Sequence, residues 1–134
     1  MKTPVALMLL AATAATWAAT PSQLAEAYAT EAAQLSPGFR PSARRGAEFY
    51  AKRFAVSEKM PACTACHTVS PIQPGQHAVT GKAIKPLAPR AEAARFTDPA
   101  KTEKWFRRNC GEVLGRECSA AEKADFIQFL AEGL

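Results

Sequence analysis

No stretch of this chain alternates polar and apolar residues like a half-buried strand, and no segment repeats. That argues against a sandwich, a barrel or a solenoid and leaves an all-α reading. Lysine and arginine never gather into a dense run with interleaved aromatics, so no nucleic acid partner is expected. No apolar run is long enough to cross a bilayer. Histidine occurs only 2 times and methionine only 3 times. Those two scarcities limit which side chains can bind a metal.

The 134 residues suffice for one small domain. Lys2 and the apolar run Val5-Ala6-Leu7-Met8-Leu9-Leu10 open the chain, and Thr16-Trp17-Ala18 supplies small residues flanking a cleavage point. This reads as a signal peptide over 1–18, leaving a domain over 19–134. The expected location is the periplasm, with no membrane span in the mature chain. Losing Lys2 lowers the formal net charge from +5 to +4.

Cys63-Thr64-Ala65-Cys66-His67 spells C-x-x-C-H, a site for covalent attachment of one haem c. Two thiols add to the two vinyl groups, and the following histidine is placed under the iron as proximal ligand. A bare C-x-x-C redox pair would instead sit in a strand–helix context, which is not visible here. Export agrees with the haem reading. Cys110 and Cys118 remain. An even remainder in an oxidising compartment is expected to form a disulfide, the alternative being two free thiols.

Local signals place about four helices around this motif. Thr20-Pro21-Ser22-Gln23 has the form of a helix start, and Ser36-Pro37-Gly38 a stop. This helix, over about 21–36, is expected as an N-terminal extension on the domain surface. Ser42 caps a second helix from Ala43 to about Phe54, with Gly46 and Tyr50 four apart. Pro71, Pro74, Gly75, Gly81, Pro86 and Pro89 make 68–90 an irregular loop, with Ile84 and Leu87 its expected haem contacts. Asp98-Pro99 opens a third helix, whose face is expected to carry Asn109 together with Trp105 and Phe106, both expected to pack in the haem pocket, with Gly111 its candidate C-cap. Ser119-Ala120-Ala121-Glu122 opens a last helix, expected to cross the Gly46 helix.

The sixth iron ligand is the open question. Met1 and Met8 leave with the leader, and Met60 is tethered beside Cys63. His77 lies ten residues past His67 and gives a bis-histidine alternative (His67/His77). Its other reading is an exposed loop histidine. Otherwise the distal side is open or weakly filled. Asn109 is the candidate, against an ordinary asparagine at a helix end.

Several segments together resemble the sphaeroides haem protein family of oxygen-binding monohaem cytochromes c. They are Lys104-Trp105-Phe106-Arg107-Arg108-Asn109-Cys110, Leu114-Gly115-Arg116-Glu117-Cys118 and Glu122-Lys123-Ala124-Asp125. Thr80-Gly81-Lys82, Pro86-Leu87-Ala88-Pro89 and Arg95-Phe96-Thr97-Asp98 match in order and spacing, as does the haem motif. The resemblance implies a class I-like fold. It implies His67 as proximal ligand, and Asn109 as a ligand of oxidised iron that leaves on reduction. It also implies a Cys110–Cys118 disulfide beside that ligand.

A neutral amide oxygen is hard and weak, and suits ferric iron better than ferrous. Release on reduction would admit O2, NO or a similar diatomic. The expected partners are that gas and a redox cytochrome, of dihaem c type or membrane b type. A plain electron carrier and a small-oxidant reductase are the alternative functions. No second titratable group stands ready for proton delivery, which points away from a dedicated enzyme.

Overall fold

The computed structural model describes residues 18–132. The expected leader therefore lies outside the described residues, apart from Ala18. Five helices follow in order: α1 (Pro21–Leu35), α2 (Ala43–Ala51), α3 (Thr64–His67), α4 (Pro99–Leu114) and α5 (Ala120–Glu132). Among the described residues no helix is long and apolar enough to cross a membrane.

The helix starts follow from local hydrogen bonding. Thr20 and Gln23 form a reciprocal capping box on α1. The Ser42 hydroxyl accepts from the Arg45 amide, and the Asp98 carboxylate accepts from the Lys101 amide. Ser119 and Glu122 close a second box at the start of α5, at 2.9 and 3.2 Å.

α5 is the hub. Its Ile127 and Leu130 are the largest fully buried side chains. α2 crosses it at Gly46, where a Cβ would collide with the Asp125 carbonyl and the Phe129 Cβ. Asp125, only 6% exposed, ties down the start of α2. It accepts from the Ser42 amide at 2.7 Å and from Arg45 at 2.7 and 2.8 Å. Phe126 then gathers Phe49, Tyr50, Phe96 and Phe106 around itself, at centroid distances of 5.7–6.5 Å. Such edge and tilted contacts between rings add to what burial alone contributes.

The structure departs from expectation in four places. α1 is a wall of the core and not a surface extension. Leu24, Ala25, Tyr28, Ala29 and Ala32 are buried, whereas Leu35 is exposed. α2 ends at Ala51, because the Phe54 amide turns back to donate to the Pro61 carbonyl at 2.7 Å. α4 runs through Gly111 and stops at Gly115, whose left-handed φ of 69° makes it the C-cap. Finally, the Pro/Gly loop carries a small antiparallel ladder, β1 (Gly75–Gln76) with β2 (Ala83–Ile84). Two residues per strand are too few to show an alternating pattern.

Candidate functional site

α3 is a single turn that holds Thr64, Ala65, Cys66 and His67, with Cys63 at its cap. Cys63 and Cys66 are the free cysteines among the described residues. They therefore stand about one turn apart on one short helix. Burial pushes the Cys63 thiol up to about 11. Burial and, after it, the charge of Arg95 pull His67 down to about 4. Its imidazole is thus neutral near pH 7, the form that binds metals.

Two neighbours fix this turn, and a third sets a charge beside it. Tyr50 of α2, 2% exposed, reaches the carbonyls of His67 and Thr68 with its hydroxyl, at 3.1 and 2.6 Å. Thr68 needs that support. Its φ of 63° lies in the left-handed region, which costs a β-branched residue about 1–3 kcal/mol. Gly75 of β1 lies so close to α3 that a Cβ would collide with the Cys66 carbonyl. Arg95 donates to the carbonyls of Pro86 at 2.8 Å and Lys85 at 2.7 Å, which places its charge near His67.

The β1–β2 hairpin sits beside the same turn. The Ala78 amide donates to Cys66 Sγ at 3.3 Å. His77 is the internal cap of this hairpin: its Nδ1 accepts from the amides of Val79 and Thr80 at 3.2 and 3.3 Å. Its backbone amide donates to Lys82 at 2.8 Å. Ile84 is half-buried on β2. Leu87 is buried, and its amide donates to the Pro71 carbonyl at 2.8 Å.

α4 carries the remaining candidates. Cys110 and Cys118 form a disulfide across the α4–α5 turn, as expected from the even remainder. Asn109, immediately before it, is exposed. Trp105, one turn earlier, is 43% exposed, with the Arg108 guanidinium 5.7 Å from its ring centre. Phe106 points elsewhere. It is buried edge-on against Tyr28 at 5.9 Å and Phe126 at 5.7 Å. The expected shared face is therefore divided, because successive helical residues diverge by about 100°. Trp105 and Asn109 share the outer side, while Phe106 and Cys110 share the inner one.

A family described as a domain of unknown function (DUF1924) matches residues 37–130. Cytochrome c-type protein SHP of Cereibacter sphaeroides is 45% identical over 112 residues, which cover 83% of this chain and 82% of that protein. The chain belongs to the SHP family of c-type cytochromes. The structure of oxidized SHP, an oxygen binding cytochrome c, superposes with a TM-score of 0.74 at 42% identity, covering 84% of this chain and 96% of that one. Cytochrome c'' of Methylophilus methylotrophus is 46% identical over 91 residues, 67% of this chain but only 63% of that protein. A solution structure of cytochrome c'' that addresses haem-ligand detachment matches with a TM-score of 0.70 at 40% identity, covering 82% and 90% of the two chains.

The chain is accordingly a monohaem cytochrome c with covalently bound haem and a class I-like helical fold. The donor chemistry on α3 fits that group. Cys63 and Cys66 are unpaired thiols on one turn, His67 is neutral, and Gly75 leaves no side chain against the backbone of the turn. The motif signalled these candidate donors. Tyr50, Arg95 and Gly75 were missed as supports. Tyr50 offered one clue, since a buried phenol must find a hydrogen-bond partner.

Proposed function

We propose that this cytochrome takes part in electron transfer in the periplasm, and that Asn109 gates access of a diatomic gas to its iron. Cys63 and Cys66 hold the haem covalently, and His67 is the proximal ligand. Held there, the haem would supply a one-electron centre whose iron could take one further ligand from the protein. The amide oxygen of Asn109 would ligate the iron of the oxidised protein and let go on reduction, since a hard, neutral oxygen favours the ferric state. The freed Asn109 NH2 can then donate a hydrogen bond to O2 or NO in its place. The chain is made with a signal peptide over 1–18, and a partner cytochrome exchanges electrons with it.

One observation carries this reading. Asn109 stands on the outer face of α4, one residue before a disulfide that pins the turn, in a chain 45% identical to SHP. A structure of that relative is described as an oxygen binding cytochrome c. His77, held by its own hairpin amides, supports the reading of a loop histidine over the bis-histidine one.

The test is Asn109→Ala in the holoprotein. The ferric spectrum is expected to change to that of a water-ligated or five-coordinate haem, and the ferrous protein to keep binding CO and NO. An unchanged ferric spectrum overturns the assignment.

A further inference from the structure

We propose that Glu103 is a positioning residue for Asn109, setting with Tyr28 and Lys123 the roll and slide of α4. This rests on the reading of Asn109 as the ferric ligand. Tyr28 of α1 donates its hydroxyl to Glu103 Oε2 at 2.8 Å. Lys123 of α5 donates to both Glu103 oxygens at 2.9 Å. One α4 carboxylate is thus held from two other helices at once.

The surroundings make this junction rigid. The Lys123 side chain is 12% exposed, and its Nζ lies 5.2 Å from the Tyr28 ring centre and 5.9 Å from that of Phe106. The two rings meet edge to face at 5.9 Å. Charge-assisted bonds in a half-buried setting are stronger and more directional than neutral ones at the surface. Burial raises the Glu103 pKa, yet its bonds to Lys123 and Tyr28 win and hold it below the ordinary value, so it stays ionised.

Asn109 lies six residues beyond Glu103, about 9 Å along the helix. On its other side, Cys110 is bonded to Cys118 and Gly115 ends the helix against Val56. α4 is therefore fastened before and after the proposed ligand. A single fastening would let the helix roll about that point, whereas two fix where the Asn109 amide is presented. The fastening matters because a neutral amide is a weak ligand. With bound and released states close in energy, a small displacement of the helix moves the balance between them.

The test compares ferric holoproteins carrying Glu103→Gln, Tyr28→Phe, Asn109→Ala and, as control, Asp125→Asn. Asp125 holds α2 to the same α5, so its loss loosens the fold away from α4. Spectra are read well below each variant's melting temperature. For Glu103→Gln and Tyr28→Phe the ratio of Asn109-ligated to water-ligated or five-coordinate ferric species is expected to fall severalfold, with the larger change in Glu103→Gln. Asp125→Asn is expected to lose thermal stability and keep its ferric spectrum. Unchanged ratios in Glu103→Gln and Tyr28→Phe overturn the proposal. An equal shift in Asp125→Asn does so too, because the effect is then general loosening. Tyr28→Phe decides the matter if Glu103→Gln fails to fold. An unchanged spectrum in Asn109→Ala overturns the ligand reading itself, and the two failures are told apart in this way.

Discussion

The hydroxyl of Tyr50 joins α2 to the carbonyl of His67 at 3.1 Å, and to that of Thr68 at 2.6 Å. One phenolic proton serves two acceptors at the end of the C-x-x-C-H turn. The ring itself packs on Phe126 and Phe129, at 6.1 and 5.5 Å, so the helix crossing and the haem turn share one side chain. The crossing places the ring, and the ring places the turn.

Tyr50→Phe keeps the ring and removes that proton. The two part-buried carbonyls lose that donor, and Thr68 loses a restraint on its left-handed backbone. A loss of about 1–2 kcal/mol is expected, measured by urea unfolding of the holoprotein. The covalent haem is expected to stay attached, since both thiols are untouched. A stability equal to wild type would mean that the bond contributes nothing net.

Two glycines are expected to respond in opposite directions to alanine. At Gly46 the new methyl meets the Asp125 backbone carbonyl and the Phe129 Cβ, neither of which can swing aside. Gly46→Ala is expected to destabilise by about 3 kcal/mol as α2 is forced off α5. At Gly111, inside α4, nothing lies within 4 Å of the added carbon. Gly111→Ala is expected to stabilise by about 0.5–1 kcal/mol, because alanine loses less backbone freedom in a helix. Thermal unfolding of both variants checks the pair, and a stabilised Gly46→Ala would contradict the close crossing.

The same glycines show what could be read in the sequence. Gly46 lies four residues before an aromatic and just ahead of the haem motif, and the crossing expected there is present. The helix starts were legible because each cap spans only four residues. Gly111 misled as a stop. The true stop, Gly115, abuts Val56 from a loop far back in the chain, and local sequence says nothing of that contact. α1 was misjudged because its inner face is largely alanine. Ala25, Ala29 and Ala32 let it lie close to the core without an obvious apolar stripe. The division between Trp105 and Phe106 was hidden because adjacent aromatics read as one patch until the helix is given a rotation. Arg95 and Tyr50 act on backbone carbonyls, which carry no residue-specific signal.

Acid should weaken the α1–α4–α5 junction first through Glu103. Burial alone would raise its pKa, but the bonds from Lys123 and Tyr28 hold it below the ordinary 4.5. The native state then binds fewer protons here than the unfolded chain does as pH falls past that value. By linkage, the stability Glu103 contributes is fully present above the unfolded pKa and is lost as pH falls through the lower native one. Tyr28 does not change this sign, since burial raises its pKa further and it keeps its proton throughout acid. Glu103→Gln has no such group to titrate. Its melting temperature is expected to start below wild type near neutrality and to fall less steeply as pH drops below the ordinary carboxylate value of 4.5. Parallel melting curves below that value would show that other carboxylates govern the acid response.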